Sequence, residues 1–226
     1  MGIKYEIEKE KLEEIRQERS KTNNKKEDRR LYVIELRIMF QDEARFGRIS
    51  KPKYCWSRKH VRPSVPSHHV REYRYAYGAV EPLSKENFFL VLSQCDTVNM
   101  NVFLEYLSEQ YKDDIILLIC DGAVWHKSKG LDIPKNIKIV HIPPYTPEMN
   151  PIEQIWKQIR SIGFKNEVFR MLKDVIDRLC DTINLLTTDM VKSITHRSWI
   201  ERQFKWLLVG SVKNNCIDRE IRFSFL

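Results

Sequence analysis

The chain has 226 residues, 42% of them hydrophobic and 31% charged, a balance that suits one globular domain with a sizeable core and excludes a disordered chain. A formal net charge of +8 points to a polyanionic partner, nucleic acid first, and is equally compatible with a basic protein that has none. No apolar run approaches the roughly 20 residues needed to span a bilayer, and no signal peptide opens the chain, so a membrane partner is not expected.

Residues 4–30 are dense in Lys, Glu and Arg and read as an exposed helix or linker preceding the folded part. Leu31 to Phe40 is apolar enough for a largely buried strand. Lys53 to His60 reads as a second, short strand, after which Pro63 and Pro66 break the chain. Arg71 to Val80 suggests a third strand, continuing through Phe88 to Leu92. Asn99 is placed to cap a helix running to about Tyr111, with Val102, Phe103, Tyr106 and Leu107 on one face. Ile115 to Cys120 is wholly apolar, as in a central strand buried on both faces, and Ile137 to Ile142 reads as another. Asn150-Pro151 then opens a helix to about Ile162, because Asn suits the cap and Pro the first helical position. Val168 to Leu186 and Thr188 to Ile200 follow as amphipathic helices, and the tail 204–226 has no clear period. Three antiparallel strands followed by two parallel ones and several helices predict an α/β protein, a mixed sheet with helices on both faces.

The five cysteines, at positions 55, 95, 120, 180 and 216, form no close pair, which fits a reducing, cytoplasmic compartment. Cys55 with His60, His68 and His69 matches no strong zinc spacing. Three acids stand out instead. Asp42 follows the first strand, Asp121 follows the buried central strand, and Glu153 lies in the first turn of the helix after Pro151. Sites in open α/β sheets gather beyond the carboxyl ends of strands. Acids converging there repel one another unless a cation neutralises them, and hard oxygen ligands select Mg²⁺ or Mn²⁺. Taken singly, each acid also has a structural reading: Asp42 as a turn residue, Asp121-Gly122 as a turn pair, and Glu153 as the third position of a capping box begun by Asn150.

Motif context distinguishes these readings. The stretch Pro143-Pro144-Tyr145-Thr146-Pro147-Glu148-Met149-Asn150-Pro151-Ile152-Glu153-Gln154-Ile155-Trp156 closely resembles the block before the final glutamate of mariner-like DDE transposases, especially their bacterial insertion-sequence branch. Asp121 followed by His126-Lys127-Ser128 resembles the second-aspartate block of that family. Phe40-Gln41-Asp42-Glu43-Ala44-Arg45-Phe46-Gly47 resembles its first, and Tyr77-Gly78-Ala79 its third-strand motif. The likeness covers roughly residues 31–200, in order. Two features depart from the family pattern: Gly122 stands where Asn is common, and the 31 residues between Asp121 and Glu153 are a slightly short interval.

The resemblance implies an RNase H-like catalytic domain over residues 31–203. It further implies that Asp42, Asp121 and Glu153 are the catalytic triad and hold two Mg²⁺ or Mn²⁺ ions, with Asp42 bridging. The implied reaction is two-metal DNA strand cleavage and strand transfer, in a prokaryotic, nucleoid-associated setting. A transposase remnant that only binds DNA, or a non-transposing nuclease of the same fold, are the alternatives. For DNA contact the expected residues are Arg45, Arg48, Lys51, Lys53, Arg58, Lys59, Arg62, His126 and Lys127, with Tyr54, Trp56 and Tyr73 interleaved to stack on unpaired bases. The competing reading of that stretch is a solvated sheet edge guarded by charge. His126 is open to two roles, substrate contact or a loop hydrogen bond. Ile155 and Trp156 are expected in the core. Since 30 residues are too few for two helix-turn-helix modules, a separate DNA-binding subunit is expected as a partner, and joining two DNA ends suggests a homodimer.

Overall fold

The computed structural model describes residues 36–49, 53–64, 69–84, 86–143 and 146–202. The charged segment 1–30, the tail 204–226, and Lys51, His68 and Pro144 lie outside the described residues.

Five strands form one sheet: β1 (Leu36–Gly47), β2 (Tyr73–Val80), β3 (Asn87–Leu92), β4 (Ile115–Cys120) and β5 (Ile137–His141). Their order across the sheet is β3-β2-β1-β4-β5. The first three are antiparallel, whereas β4 runs parallel to β1 and β5 parallel to β4. The predicted sheet is therefore present, with β1 at its centre. Two of its members differ from the sequence reading. Residues 53–60 form no strand but an exposed loop, since their alternating polar and aromatic side chains face no partner strand. The third antiparallel strand instead comes from splitting the aromatic run 71–92 into a hairpin. Its tight turn is closed by Glu81 N–H donating to the Glu86 carbonyl at 2.8 Å.

One helix, α1 (Thr97–Gln110), covers one face of the sheet, and α2 (Ile152–Gly163), α3 (Leu172–Asn184) and α4 (Thr188–Thr195) cover the other. Strand alternation assigns the two faces. Met39, Tyr77, Ala79, Ile116 and Leu118 pack toward α1 with Phe103 and Leu107. Ile38, Phe40, Ala44, Phe46, Leu117 and Ile119 pack toward α2 and α3 with Ile155, Trp156, Ile159 and Leu179. The α1 cap is Asp96 rather than Asn99: its Oδ1 accepts the Asn99 N–H at 2.8 Å, so Asn99 is the third helical residue and not the boundary.

Gly78 governs how closely α2 approaches. A Cβ there would lie 2.7 Å from Phe89, 2.8 Å from Trp156 and 2.9 Å from Ile152. Only a glycine lets the helix carrying Glu153 sit this near to β2. Gly78 is also the β2 partner of Asp42 on β1.

Candidate active site

β1 continues through Asp42 to Gly47, so Asp42 is held inside the strand and not in a turn after it. Rigid backbone on both sides fixes where its carboxylate points. Alternation sends Asp42 to the α2 face, between Phe40 and Ala44. There Asp42 Oδ2 accepts a hydrogen bond from the Trp156 indole N–H at 2.9 Å. Burial, then the nearby charges of Glu153 and Glu43, raise the Asp42 carboxyl from 3.8 to about 7.

Glu153 sits in the first turn of α2. The capping-box reading does not hold, because the start of this helix has no side-chain cap. Asn150 is used differently. It is buried, and its Nδ2 donates to the Gln41 carbonyl at 2.9 Å, tying the entrance of α2 to the strand residue just before Asp42. Ile155 and Trp156 are buried as expected, and Trp156 has the added role of donor to Asp42.

Asp121 follows β4. The last registered pair of the two central strands is Phe40 with Ile119, and Asp42 and Asp121 each lie two residues further on. The second acid thus stands just beyond the end of the neighbouring parallel strand. Its Oδ1 accepts from the Ala123 N–H at 3.0 Å and faces His126 Nδ1 at 2.9 Å. The hydrogen bond from His126 and the one from Ala123 hold this carboxyl below its ordinary range, against the opposing effect of partial burial.

The structure therefore brings Asp42 and Glu153 into electrostatic contact, whereas Asp121 follows the neighbouring strand and is engaged by His126 and Ala123. Among the described residues, no three acidic, imidazole or thiol groups close to metal-ligating distance. The donor set nevertheless fits a divalent cation. Asp42 and Glu153 are like charges in a poorly solvated place, a pairing that a hard cation relieves.

His126 is buried, with both ring nitrogens engaged: Nδ1 toward Asp121, and Nε2 toward Glu43 Oε1 at 2.9 Å. Of the two roles left open for it, hydrogen bonding is the one seen, and its ring presents no surface to a substrate. Desolvation alone would lower its pKa. Hydrogen bonds to Asp121, Cys120 and Glu43 outweigh it and hold the ring well above the usual imidazole range. Lys127, next in sequence, is exposed, and its ammonium covers Gly122; a Cβ at that glycine would lie 2.7 Å from Nζ.

The other basic residues divide into two groups. Arg45 is exposed, with its guanidinium 4.5 Å from the centre of the Tyr73 ring. Arg48 pairs with Glu72 at 2.7 Å and donates to the Phe169 carbonyl at 3.2 Å. Lys53, Arg58, Lys59 and Arg62 lie along the exposed loop, where Tyr54 and Trp56 are fully exposed at 102% and 103%. This loop is clasped at its start: Lys53 N–H donates to Asn166 Oδ1 at 2.7 Å, and Asn166 Nδ2 donates to the Lys53 carbonyl at 3.0 Å. Asn166 has φ 56°, a left-handed conformation that Asn tolerates better than most residues.

Two functional candidates carried signals that the residue reading passed over. Glu43 directly follows Asp42 and so points to the opposite face of a buried strand, where a lone acid needs a partner. Arg160 lies on the same face of α2 as Glu153 and Trp156, at the i, i+3, i+7 spacing. Its guanidinium is 5.0 Å from the centre of the Phe46 ring, and burial lowers its pKa while Glu153 and Asp42 attract its charge.

The mixed five-stranded sheet with helices on both faces is the RNase H-like architecture. A family model described as DDE superfamily endonuclease matches residues 37–176, and the chain belongs to that family. It is 34% identical over 131 residues to the uncharacterised protein y4pE/y4sA of Sinorhizobium fredii, covering 57% of this chain and 97% of that one. Among solved structures, the fold is similar to that of the Mos1 mariner paired-end complex with Mn, with a TM-score of 0.58 and 13% identity over 95% of this chain. The Mos1 paired-end complex with the left transposon end gives a TM-score of 0.56 and 12% identity over 94% of this chain. The chain spans 66% of the Mos1 chain in both. No helix among the described residues is long and apolar enough to cross a membrane.

Proposed function

We propose that this chain supplies the catalytic domain of a transposase, cleaving DNA strands and transferring the freed 3′ ends with Asp42, Asp121 and Glu153 as its metal-holding acids. The observation that carries the proposal is the like-charged, half-buried pair Asp42 and Glu153, formed where β1 faces the first turn of α2 in a DDE endonuclease. Such a pair is costly without a cation, and it stands where open α/β sheets place their chemistry. The similar Mos1 structures include complexes with Mn and with Mg, one with a transposon end and a strand transfer complex, which supports the same reading.

Two Mg²⁺ or Mn²⁺ ions held by the three acids would activate the attacking oxygen and offset charge on the leaving one. In hydrolysis, water forms the new P–O bond and the 3′-oxygen leaves. In strand transfer, that 3′-hydroxyl attacks a second backbone and another 3′-oxygen leaves. Only the nucleophile changes, so one site serves both steps. The residues of the chain position the reactants. Trp156 and Asn150 hold the acids on their elements, Arg160 adds a positive charge beside Asp42 and Glu153, and Lys127 stands over Gly122. The basic loop 53–64, with Arg45, would neutralise phosphates, and Tyr54 and Trp56 would stack on unpaired bases.

Cleavage of supercoiled plasmid in Mg²⁺ or Mn²⁺ tests the reading, comparing the wild type with Glu153→Gln. Wild type is expected to nick and linearise the plasmid only with the metal, and Glu153→Gln to fold normally but not cleave. Equal cleavage by both proteins would overturn the assignment of the triad.

A further inference from the structure

The face of β1 opposite Asp42 carries a second acid that the proposed chemistry leaves without a task. Glu43 has a side chain only 5% exposed, and its Oε1 receives three donors: Gln41 Nε2 at 2.9 Å, His126 Nε2 at 2.9 Å and Trp125 Nε1 at 3.4 Å. His126 in turn lies between two acids, with its side chain wholly shielded and Nδ1 2.9 Å from Asp121 Oδ1 and 3.1 Å from the Asp121 carbonyl.

The effect on Asp121 is asymmetric. Oδ1 is held by two groups, the His126 ring and the Ala123 N–H. Oδ2 has no hydrogen bond among the described residues. A carboxylate pinned through one oxygen cannot rotate freely and presents the other in a fixed direction. The pin is anchored in β1, because Glu43 is the immediate neighbour of Asp42. One strand therefore carries the first acid on one face and the anchor of the second acid on the other.

We infer that Glu43 and His126 are positioning residues that hold Asp121 Oδ1 and so direct Oδ2 toward the divalent ion. The inference rests on the metal-dependent reading above and assigns to this pair the orientation of the second ligand. Glu43 touches neither substrate nor metal; it acts through His126, and the Val124–Lys127 turn that carries His126 is the element it fixes.

The test is a Mn²⁺ titration of the full chain, followed through the electron paramagnetic resonance of free Mn²⁺. It compares wild type, Glu43→Ala, Glu43→Gln and Asp42→Asn, each well below its own melting temperature. Glu43→Ala is expected to lose about 10- to 100-fold in Mn²⁺ affinity, the usual consequence of removing an outer-shell partner. Glu43→Gln keeps an acceptor for His126 and is expected to fall between Glu43→Ala and wild type. If both Glu43 variants bind Mn²⁺ like wild type while Asp42→Asn does not, the positioning role is overturned and the metal reading survives. Lower melting temperatures with unchanged affinity overturn it in the same way, since they mark a purely structural role. If Asp42→Asn itself binds like wild type, the metal centre is misassigned and the inference falls with it. Should Glu43→Ala fail to fold, Glu43→Gln decides alone: weakened binding supports the inference and unchanged binding overturns it.

Discussion

The indole of Trp156 donates to Asp42 Oδ2 at 2.9 Å, linking the helix that carries Glu153 to the strand that carries Asp42 through one hydrogen bond. Trp156→Phe keeps the ring packing and removes the donor. It is expected to cost about 1–3 kcal/mol of stability, from a lost buried hydrogen bond and a small cavity. Metal-dependent cleavage should fall by more than stability alone accounts for, because Asp42 loses a fixed orientation. Urea denaturation beside plasmid cleavage checks both effects, and unchanged cleavage would rule out the orienting role.

Gly78→Ala probes the seating of the same helix. The added methyl meets Phe89, Trp156 and Ile152 at under 3 Å, all of them buried against the sheet. Overpacking of this kind costs about 1–3 kcal/mol and shifts the backbone. The melting temperature should drop by several degrees and cleavage should fall with it. An unchanged melting curve would mean that α2 adjusts freely, contrary to the close approach seen here.

Asn150→Ala removes the donor to the Gln41 carbonyl and leaves that buried acceptor unpaired. About 1–3 kcal/mol of stability should be lost. Cleavage should decline further, since the start of α2 loses its tie to β1. Asn150→Asp, which also lacks the donor, should not rescue activity; rescue by Asp would show that the side chain acts as a helix cap instead.

The Asp42 carboxyl sets a pH dependence for the metal-free chain. Burial and the neighbouring acids raise it from 3.8 to about 7 in the folded state. A group raised on folding contributes its full stability below its unfolded value and loses it as pH rises through the folded value. Metal-free protein should therefore lose up to about 4 kcal/mol between pH 4 and 7 from this group. Asp42→Asn should flatten that part of the profile. Added Mn²⁺ should raise the melting temperature of wild type at pH 8 but not that of the variant. Denaturant melts across this window give the comparison directly.

Trp56→Ala on the exposed loop should weaken binding of single-stranded DNA by about 1–3 kcal/mol, the range for one base stacked on an aromatic ring. Folding should be unaffected, because the ring makes no packing contribution in the free protein. Fluorescence anisotropy with a labelled oligonucleotide reads the difference. Equal affinities would favour the view of this loop as a solvated edge.

The parts of this molecule that were legible in its sequence are those where one residue type has one physical explanation. The apolar run Ile115–Cys120 has no reading but a central strand, and it is one. The Asn150-Pro151 start of α2 is one residue early: Pro151 is the cap and Ile152 the first helical residue, and the Asn side chain bonds to β1 instead of to the helix. Residues 53–60 misled, because a short run with Tyr and Trp can suit a strand without showing whether a partner strand exists. The α1 boundary was missed by three residues, since Asp96 and Asn99 are both good caps and only the backbone geometry selects Asp96. Glu43 was hidden for a different reason. Its role depends on His126, 83 residues away, and no local pattern encodes such a pair.

The amide tie between Asn150 and Gln41 bears on the spacing of the acids. Because the entrance of α2 is fastened to β1 itself, Glu153 takes its location from that anchor point. The 31-residue interval that separates it from Asp121, which includes β5, is then not what sets the position of the glutamate. Counting that interval is a poor ruler for whether the centre is intact; a better gauge is whether an amide side chain still stands three residues upstream of the last acid.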